Sequence, residues 1–264
     1  KFMKGIADER GREYFEREAR VAAGLSHPNI ASIHEVGNRD GQPFIAMQYV
    51  EGESLSGARK RMGLPQVLKA IRDVGEAVAY AHGKGVIHRD LKPANVMVDK
   101  EGRVYVMDFG LAKETAVGEA GVSVGGSSVV VGTPQYMAPE QAKGKADAQS
   151  DVYGVGTILY EMVTGRPPFV GETTTDVLMQ VVNEEPVWPR KLNRGVPEDL
   201  QAIVLKALEK EKTREPNYDV KAVDKKLVEL ELWLFKADAA IKQKNATVDV
   251  GLVSDTDKLL EPLQ

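Results

Sequence analysis

Residues 88–95 read His88-Arg89-Asp90-Leu91-Lys92-Pro93-Ala94-Asn95. They are followed by Asp108-Phe109-Gly110 and then by Gly132-Thr133-Pro134-Gln135-Tyr136-Met137-Ala138-Pro139-Glu140. Asp90 and Asn95 are five residues apart, and Asp108 lies thirteen beyond Asn95. Between them two short apolar runs, Val96 to Val98 and Val104 to Met107, flank Asp99-Lys100-Glu101-Gly102 and predict a hairpin. A hairpin returns the chain to its starting point, so the three oxygen-bearing side chains are expected in one cleft. Asn95 and Asp108 offer the few oxygen ligands that suit Mg²⁺, which keeps waters and prefers phosphate partners. Asp90 is placed to align an attacking hydroxyl, and Lys92 to stabilise a phosphoryl group in transfer. Such a transfer needs positioning and charge neutralisation more than covalent help. A lone Asp is usually a solvated loop residue, so only the joint pattern carries this reading.

Working outward, Gly11 to Leu25 places Phe15, Glu18, Ala22 and Leu25 on one helical face, ended by Ser26-His27-Pro28-Asn29. One carboxylate therefore sits among apolar neighbours. Ile30 to Val36 and Pro43 to Val50 read as an antiparallel hairpin around the turn-rich Gly37 to Gly41. Gly52 to Gly63 reads as a polar connection. Pro65 then opens a helix with Val67, Ile71, Val74, Val78 and Ala81 in phase, up to Gly83. Glu114 to Val131, rich in Gly, Ser and Val, reads as a loop. Val152 to Val163 is apolar on nearly every face, as a buried helix is, and Leu200 to Leu208 reads as another. Asp219 to Lys242 carries Val220, Val223, Leu227, Leu230, Leu234, Ala237 and Ile241 at three-four spacing. That stripe fits either a last helix packed on its own domain or the start of a coiled-coil contact with a second copy. Lys244 to Gln264 reads as a polar tail.

Composition narrows the classes. The 264 residues are 42% hydrophobic and 28% charged, ordinary for a folded domain, with 35 Lys and Arg against 39 Asp and Glu. A net charge of -4 provides no basic field for a nucleic acid backbone. The absence of cysteine excludes disulfides, thiolate zinc sites and a Cys nucleophile. No apolar run is long enough for a membrane span. The chain starts at Lys1 without signal-like features and reads as a piece of a longer, cytoplasmic protein.

The three strings, in this order and spacing, resemble the protein kinases, specifically the bacterial branch of the eukaryotic-like Ser/Thr kinases, over about residues 1 to 232. The resemblance implies an α+β, two-lobed fold: an incomplete small lobe over 1–50, a mainly helical large lobe over 51–243 with an extended last helix, and a tail or linker over 244–264. It implies transfer of the ATP γ-phosphoryl group, with Mg²⁺, to Ser or Thr hydroxyls of protein substrates, including the chain's own activation loop. Lys92-Pro93 and Thr133 favour Ser/Thr over Tyr acceptors. By the same resemblance Asp90 and Lys92 are catalytic and Asn95 and Asp108 hold the metal. Met47 is the gatekeeper, Gln48, Tyr49 and Val50 form the hinge that meets adenine, and Met97 is the floor under the base. Glu140 and Arg214 are expected to form a buried ion pair, although Arg214-Glu215-Pro216 departs from the usual pattern. Asp151 is expected to brace the catalytic loop, and His88 to pack beneath it rather than act as a base.

The glycine-rich loop and first two strands of the family are missing from the sequence. Glu18 matches the ion-pair glutamate on the small-lobe helix, and Lys1, seventeen residues earlier, is expected to be its lysine, with Lys4 as competitor. Arg89 beside Asp90 resembles kinases whose activation loop is ordered by phosphorylation. Ser127 or Ser128 is the expected acceptor, ahead of Thr115 and Ser123. Two other classes stay open. A pseudokinase or docking module would dispense with Asp90, Asn95 and Asp108, and a small-molecule phosphotransferase would leave residues 132–140 unexplained.

Overall fold

The computed structural model of the chain describes residues 1–2, 9–109 and 133–210. Helix α1 (Glu9–Ala23) buries Phe15, Ala19 and Ala22, a stripe of i, i+4, i+7 spacing. The face expected from the sequence had Glu18 at its centre. Ala19 takes that place because its methyl group costs nothing to bury, whereas Glu18 on the stripe's edge reaches water. Strands β1 (Ile33–Arg39) and β2 (Gln42–Met47) form the expected antiparallel hairpin. Its turn is tighter than predicted: Asp40 (φ 53°) and Gly41 (φ 80°) make a two-residue connection, and Gly37, Asn38 and Arg39 extend β1. Positive φ at both turn residues matches the twist of the flanking strands, which a longer turn would not exploit. Lys1 exchanges both backbone hydrogen bonds with Ile45 (2.8 and 2.9 Å), so it lies against the edge of β2.

Gly52 to Gly63 is not the polar connection expected. It forms β3 (Gly52–Ser54), α2 (Leu55–Ala58) and a 3-10 turn over Arg59–Arg61. Leu55 and Ala58 are buried, and Ser54 caps α2 by accepting from Gly57 N. Two apolar residues are too short a run to show a period, so tertiary packing decides this segment. Strand β3 joins β4 (Val96–Asp99) and β5 (Val104–Val106) in a three-stranded antiparallel sheet. The chain from Asn29 to Ala31 runs alongside β5: Val106 N donates to Asn29 O and Ala31 N to Val106 O. The segment after α1 is thereby tied to the hairpin that carries the site.

The larger, helical part is built on α3 (Leu64–Gly83) and, after the short α4 (Pro139–Ala142), α5 (Ala148–Thr164). In α3 the predicted stripe of Val67, Ile71, Val74, Val78 and Ala81 is buried. Asp147 caps α5 by accepting from Gln149 and Ser150 N, and Gly165 (φ 93°) ends it. Tyr153, Ile158, Leu159 and Tyr160 of α5 are fully buried, as its all-round apolar sequence predicted. A Cβ on Gly154 would stand 2.9 Å from Leu91 Cβ, so glycine there lets α5 press against the 88–95 loop. Helices α6 (Thr174–Asn183), α7 (Pro189–Leu192) and α8 (Glu198–Ala207) complete the described chain. Sequence reading anticipated α8 but not α6 or α7. The strand-rich first part and helical second part make the α+β, two-lobed organisation expected. None of the helices among the described residues is long and apolar enough to cross a membrane. Lys4, Thr115, Ser123, Ser127, Ser128, Arg214, the stripe from Val220 to Ile241 and the tail from Lys244 lie outside the described residues.

Candidate active site

Arg89 adopts φ 65°, a left-handed conformation that costs a non-glycine residue about 1–2 kcal/mol, so its neighbours must hold it there. Asp151, near the start of α5, does so from below. Its Oδ2 accepts from His88 N (2.7 Å) and its Oδ1 from Arg89 N (2.8 Å). His82 of α3 sets its Nε2 against the same carboxylate at 2.8 Å, with both side chains 1% exposed. The Arg89 carbonyl accepts from Gln141 Nε2 at 2.8 Å. His88 is oriented as well: Nδ1 accepts from Asp90 N (3.2 Å), so the proton sits on Nε2 and is donated to Met107 O (2.8 Å). Its ring packs on Phe109 with centroids 4.7 Å apart. Both imidazole nitrogens are engaged, which leaves His88 no role as a base.

On this base stand the side chains singled out from the sequence. Lys92 Nζ donates to Asp90 Oδ2 (2.8 Å) and to Thr133 Oγ1 (3.4 Å), bringing Thr133 to the loop from forty-one residues away. Asn95 Nδ2 donates to Asp90 O (2.8 Å) and to Asp90 Oδ2 (3.2 Å), so Oδ1 is the end of the amide that these bonds leave as an acceptor. Met107 N donates to Asn95 O at 2.8 Å, so the hairpin closes and sets Asp108 beside Asn95. Asp108 also has positive φ, 61°. Its Oδ2 pairs with Lys1 Nζ at 2.6 Å, and its buried Oδ1 has no hydrogen-bond partner among the described residues. A carboxylate oxygen without a donor among the described residues, together with the amide oxygen of Asn95, is a donor set that fits Mg²⁺, which needs few protein ligands.

The cleft's other side departs from expectation. Lys1 and Glu18 do not pair. Lys1 goes to Asp108, while Glu18 Oε2 lies 3.9 Å from Arg89 Nη1 and its Oε1 3.5 Å from Arg17. Asp108 is the more buried carboxylate, 18% exposed against 25%, and the more strongly in need of a cation; Glu18 already has two guanidinium groups. Tyr14, one turn before Glu18, accepts from Arg89 Nη1 at 3.1 Å. Met47 and Met97 are half-buried, on β2 and β4 respectively. Gln48 N is taken by Ser32 O (2.7 Å), Tyr49 is exposed, and Val50 is buried just beyond β2. Glu140 is buried, with Oε1 accepting from Ser150 Oγ at 2.9 Å.

Three further contacts escaped the sequence reading. His82 continues the buried stripe of α3 one turn after Val78, and a polar group on a core face signals a buried partner. Tyr136 OH donates to Glu161 Oε2 at 2.5 Å, tying residues 133–140 to α5. Burial and then the Glu161 carboxylate push that phenol well above its ordinary range. Gln141, directly after Glu140, bears no sequence signal of its own; only the fold shows what it meets.

The family model described as "Protein kinase domain" matches residues 1–227. A probable serine/threonine-protein kinase of Streptomyces coelicolor is 42% identical over 230 residues, covering 83% of this chain and 33% of that protein. The serine/threonine-protein kinase PknB of Mycobacterium tuberculosis is 42% identical over 204 residues, covering 74% and 32%. The chain thus spans about a third of the length of these relatives. Among solved structures, the kinase domain of Mycobacterium tuberculosis PknI superposes with a TM-score of 0.65 at 26% identity, covering 88% of this chain and 84% of that one.

Proposed function

The chain belongs to the protein kinase domain family, and on that premise we propose that the protein carrying it transfers the γ-phosphoryl group of ATP to Ser and Thr hydroxyls of proteins. The observation that carries this reading is the joint arrangement of Asp90, Lys92, Asn95 and Asp108, with one Asp108 oxygen that has no hydrogen-bond partner among the described residues. The relatives named as serine/threonine kinases, and the Lys92 to Thr133 contact, support protein hydroxyls as acceptors.

In this reading Asp90 orients the acceptor hydroxyl and takes its proton at the carboxylate as the oxygen attacks. Lys92, held on Asp90, stabilises charge on the phosphoryl oxygens in transfer. Mg²⁺, when bound, neutralises phosphate charge, and Asn95 Oδ1 and the Asp108 carboxylate are the groups that would hold it. Lys1, half exposed in its pair with Asp108, is suited to leave that carboxylate for a phosphate and so to meet Glu18. Gln48, Tyr49 and Val50 form the hinge for adenine between Met47 and Met97. Arg89 would receive a phosphate on Ser127 or Ser128 of the activation loop, placed there by the enzyme itself, and Glu140 would pair with Arg214. The region through Val50 acts as the small lobe, 51–243 as the large lobe, and the Val220 to Ile241 stripe is a candidate contact with a second copy.

The test is transfer of labelled phosphate from ATP by the full-length protein to a Ser/Thr protein substrate. Asp90→Asn keeps the shape and removes the base, so the rate falls by roughly 10²- to 10⁴-fold. Transfer by Asp90→Asn at the wild-type rate would sink the reading.

A further inference from the structure

We propose that Gln141 is a positioning residue: its side-chain amide ties the Ala138–Gln141 turn to the Arg89 carbonyl and holds the peptide plane from which Asp90 is aimed. The catalytic consequence rests on the kinase reading above; the geometry does not.

Backbone groups meet the Gln141 carboxamide at both ends. Ala138 N donates to Oε1 at 2.9 Å, and Nε2 donates to Arg89 O at 2.8 Å. A donor on one side and an acceptor on the other leave one orientation of the amide, so the assignment of oxygen and nitrogen follows from the partners. Few side chains satisfy both. Glu has the length but no donor, Met has the length and neither group, and Asn is one methylene short.

What the amide holds is the peptide joining Arg89 to Asp90. Asp151 grips the N–H of Arg89, on the far side of its Cα, and so cannot by itself fix the plane that follows. That plane is clamped by its own two polar atoms: Arg89 O by Gln141 at 2.8 Å, and Asp90 N by His88 Nδ1 at 3.2 Å. Removing Gln141 takes away the shorter of these two bonds, on a residue whose φ of 65° already favours escape. Rotation of this plane swings the Cα–Cβ bond of Asp90, and with it the carboxylate that Lys92 and Asn95 approach. Gln141 also directly follows residues 133–140, which reach the loop elsewhere through Thr133 and Lys92. It is a second tie between that segment and the catalytic loop, and it acts on backbone rather than on the reacting atoms.

The experiment compares wild type, Gln141→Glu, Gln141→Met and Asp90→Asn in the full-length protein, by steady-state kinetics, melting and amide hydrogen exchange. Gln141→Glu keeps the acceptor for Ala138 N and sets a carboxylate against the Arg89 carbonyl. Gln141→Met removes both bonds at equal length. The expected result is a fall in kcat on the order of tenfold to a hundredfold in both variants, while KM for ATP stays within about twofold. Faster exchange should be confined to the amides of residues 88–90, joined in Gln141→Met alone by Ala138, whose N–H loses its acceptor. Unchanged kcat in both variants would overturn the inference, with or without faster exchange. So would kcat and melting temperature falling together with exchange raised throughout the helical part, the signature of a merely structural side chain. If wild type and Asp90→Asn alike transferred nothing, the kinase reading would fall, and the exchange at residues 88–90 alone would uphold or overturn the clamp.

Discussion

The backbone of His88 and Arg89 and the side chains that meet at Lys1, Glu18 and the Arg89 guanidinium flank the same cleft but are held differently. The loop backbone rests on Asp151, 1% exposed, which receives two N–H groups and His82. On the other side, Lys1 is 51% exposed and Glu18 25%, and the nearest Glu18 to Arg89 approach is 3.9 Å. A buried acceptor that satisfies several donors has no substitute, because water cannot replace it. Exposed ion pairs are worth little and exchange partners readily. A loop held in fixed geometry thus stands opposite a set of loosely held charges, which on the proposed kinase reading would regroup when a nucleotide brings phosphates.

The harshest way to break that contrast is Asp151→Ala. It strands two backbone donors and His82 in the interior, and loss of one member of such a buried charged network costs about 3–5 kcal/mol. Urea unfolding should show a large drop in midpoint, and what remains folded should transfer phosphate poorly. An Asp151→Ala protein with a wild-type midpoint would mean that the loop is held by something other than this carboxylate.

A middle case is Tyr136, whose hydroxyl donates to Glu161 across 2.5 Å in a half-buried setting. Removing a hydrogen bond to a charged acceptor in Tyr136→Phe should cost about 1.5–3 kcal/mol near neutral pH. The pH dependence has a definite sign. Burial and the Glu161 carboxylate raise the folded-state pKa above the ordinary phenol value of 10.0, so below pH 10 both folded and unfolded phenols are protonated and the contribution is complete. Above pH 10 the unfolded chain ionises first and stability is lost as pH rises. Unfolding followed from pH 8 upward should therefore show a shallower alkaline decline in Tyr136→Phe than in wild type. The slope should not vanish, because burial also raises Tyr160, whose hydroxyl donates to Val187 O. Identical slopes would remove Tyr136 from the buried network.

How far the sequence made this legible follows the same division. Helix α3 could be read because a long apolar period determines it and α5 because it is apolar on nearly every face, and the approach of the residue 108 segment to Asn95 could be read because a short hairpin leaves the chain few other paths. Gly52 to Gly63 could not: α2, with Leu55 buried, packs against β4 and the Pro93–Asn95 turn, contacts with no local signature. Glu18 was identified as a carboxylate on the inner side of a helix, yet its partner could not be read. Arg17 and Arg89 both stand against Glu18 while Lys1 goes to Asp108, and the choice among such cations turns on differences smaller than any sequence pattern encodes. Gln141 and His82 were invisible for the opposite reason, since each answers a backbone or carboxylate far away in sequence.

The smallest expected effect is that of Glu18→Gln, and it sharpens the contrast from the exposed side. The Glu18 to Arg89 pair is long, and Arg89 keeps Tyr14 as a hydrogen-bond acceptor when the charge is removed. The stability change should be under about 1 kcal/mol, and it should shrink further in 1 M salt, where the screening length falls to about 3 Å. The buried Asp151 network, by contrast, should give the same loss at both salt concentrations. If nucleotide binding recruits Lys1 from Asp108 toward α1, Glu18→Gln should weaken ATP affinity by more than it lowers the melting temperature of the free protein. Titration of ATP by calorimetry, beside melting without nucleotide, separates the two. A Glu18→Gln protein that melts far below wild type yet binds ATP unchanged would show the reverse: the Glu18 to Arg89 pair would be a structural fixture, and the charges at this end of the cleft would be held no less firmly than the loop opposite them.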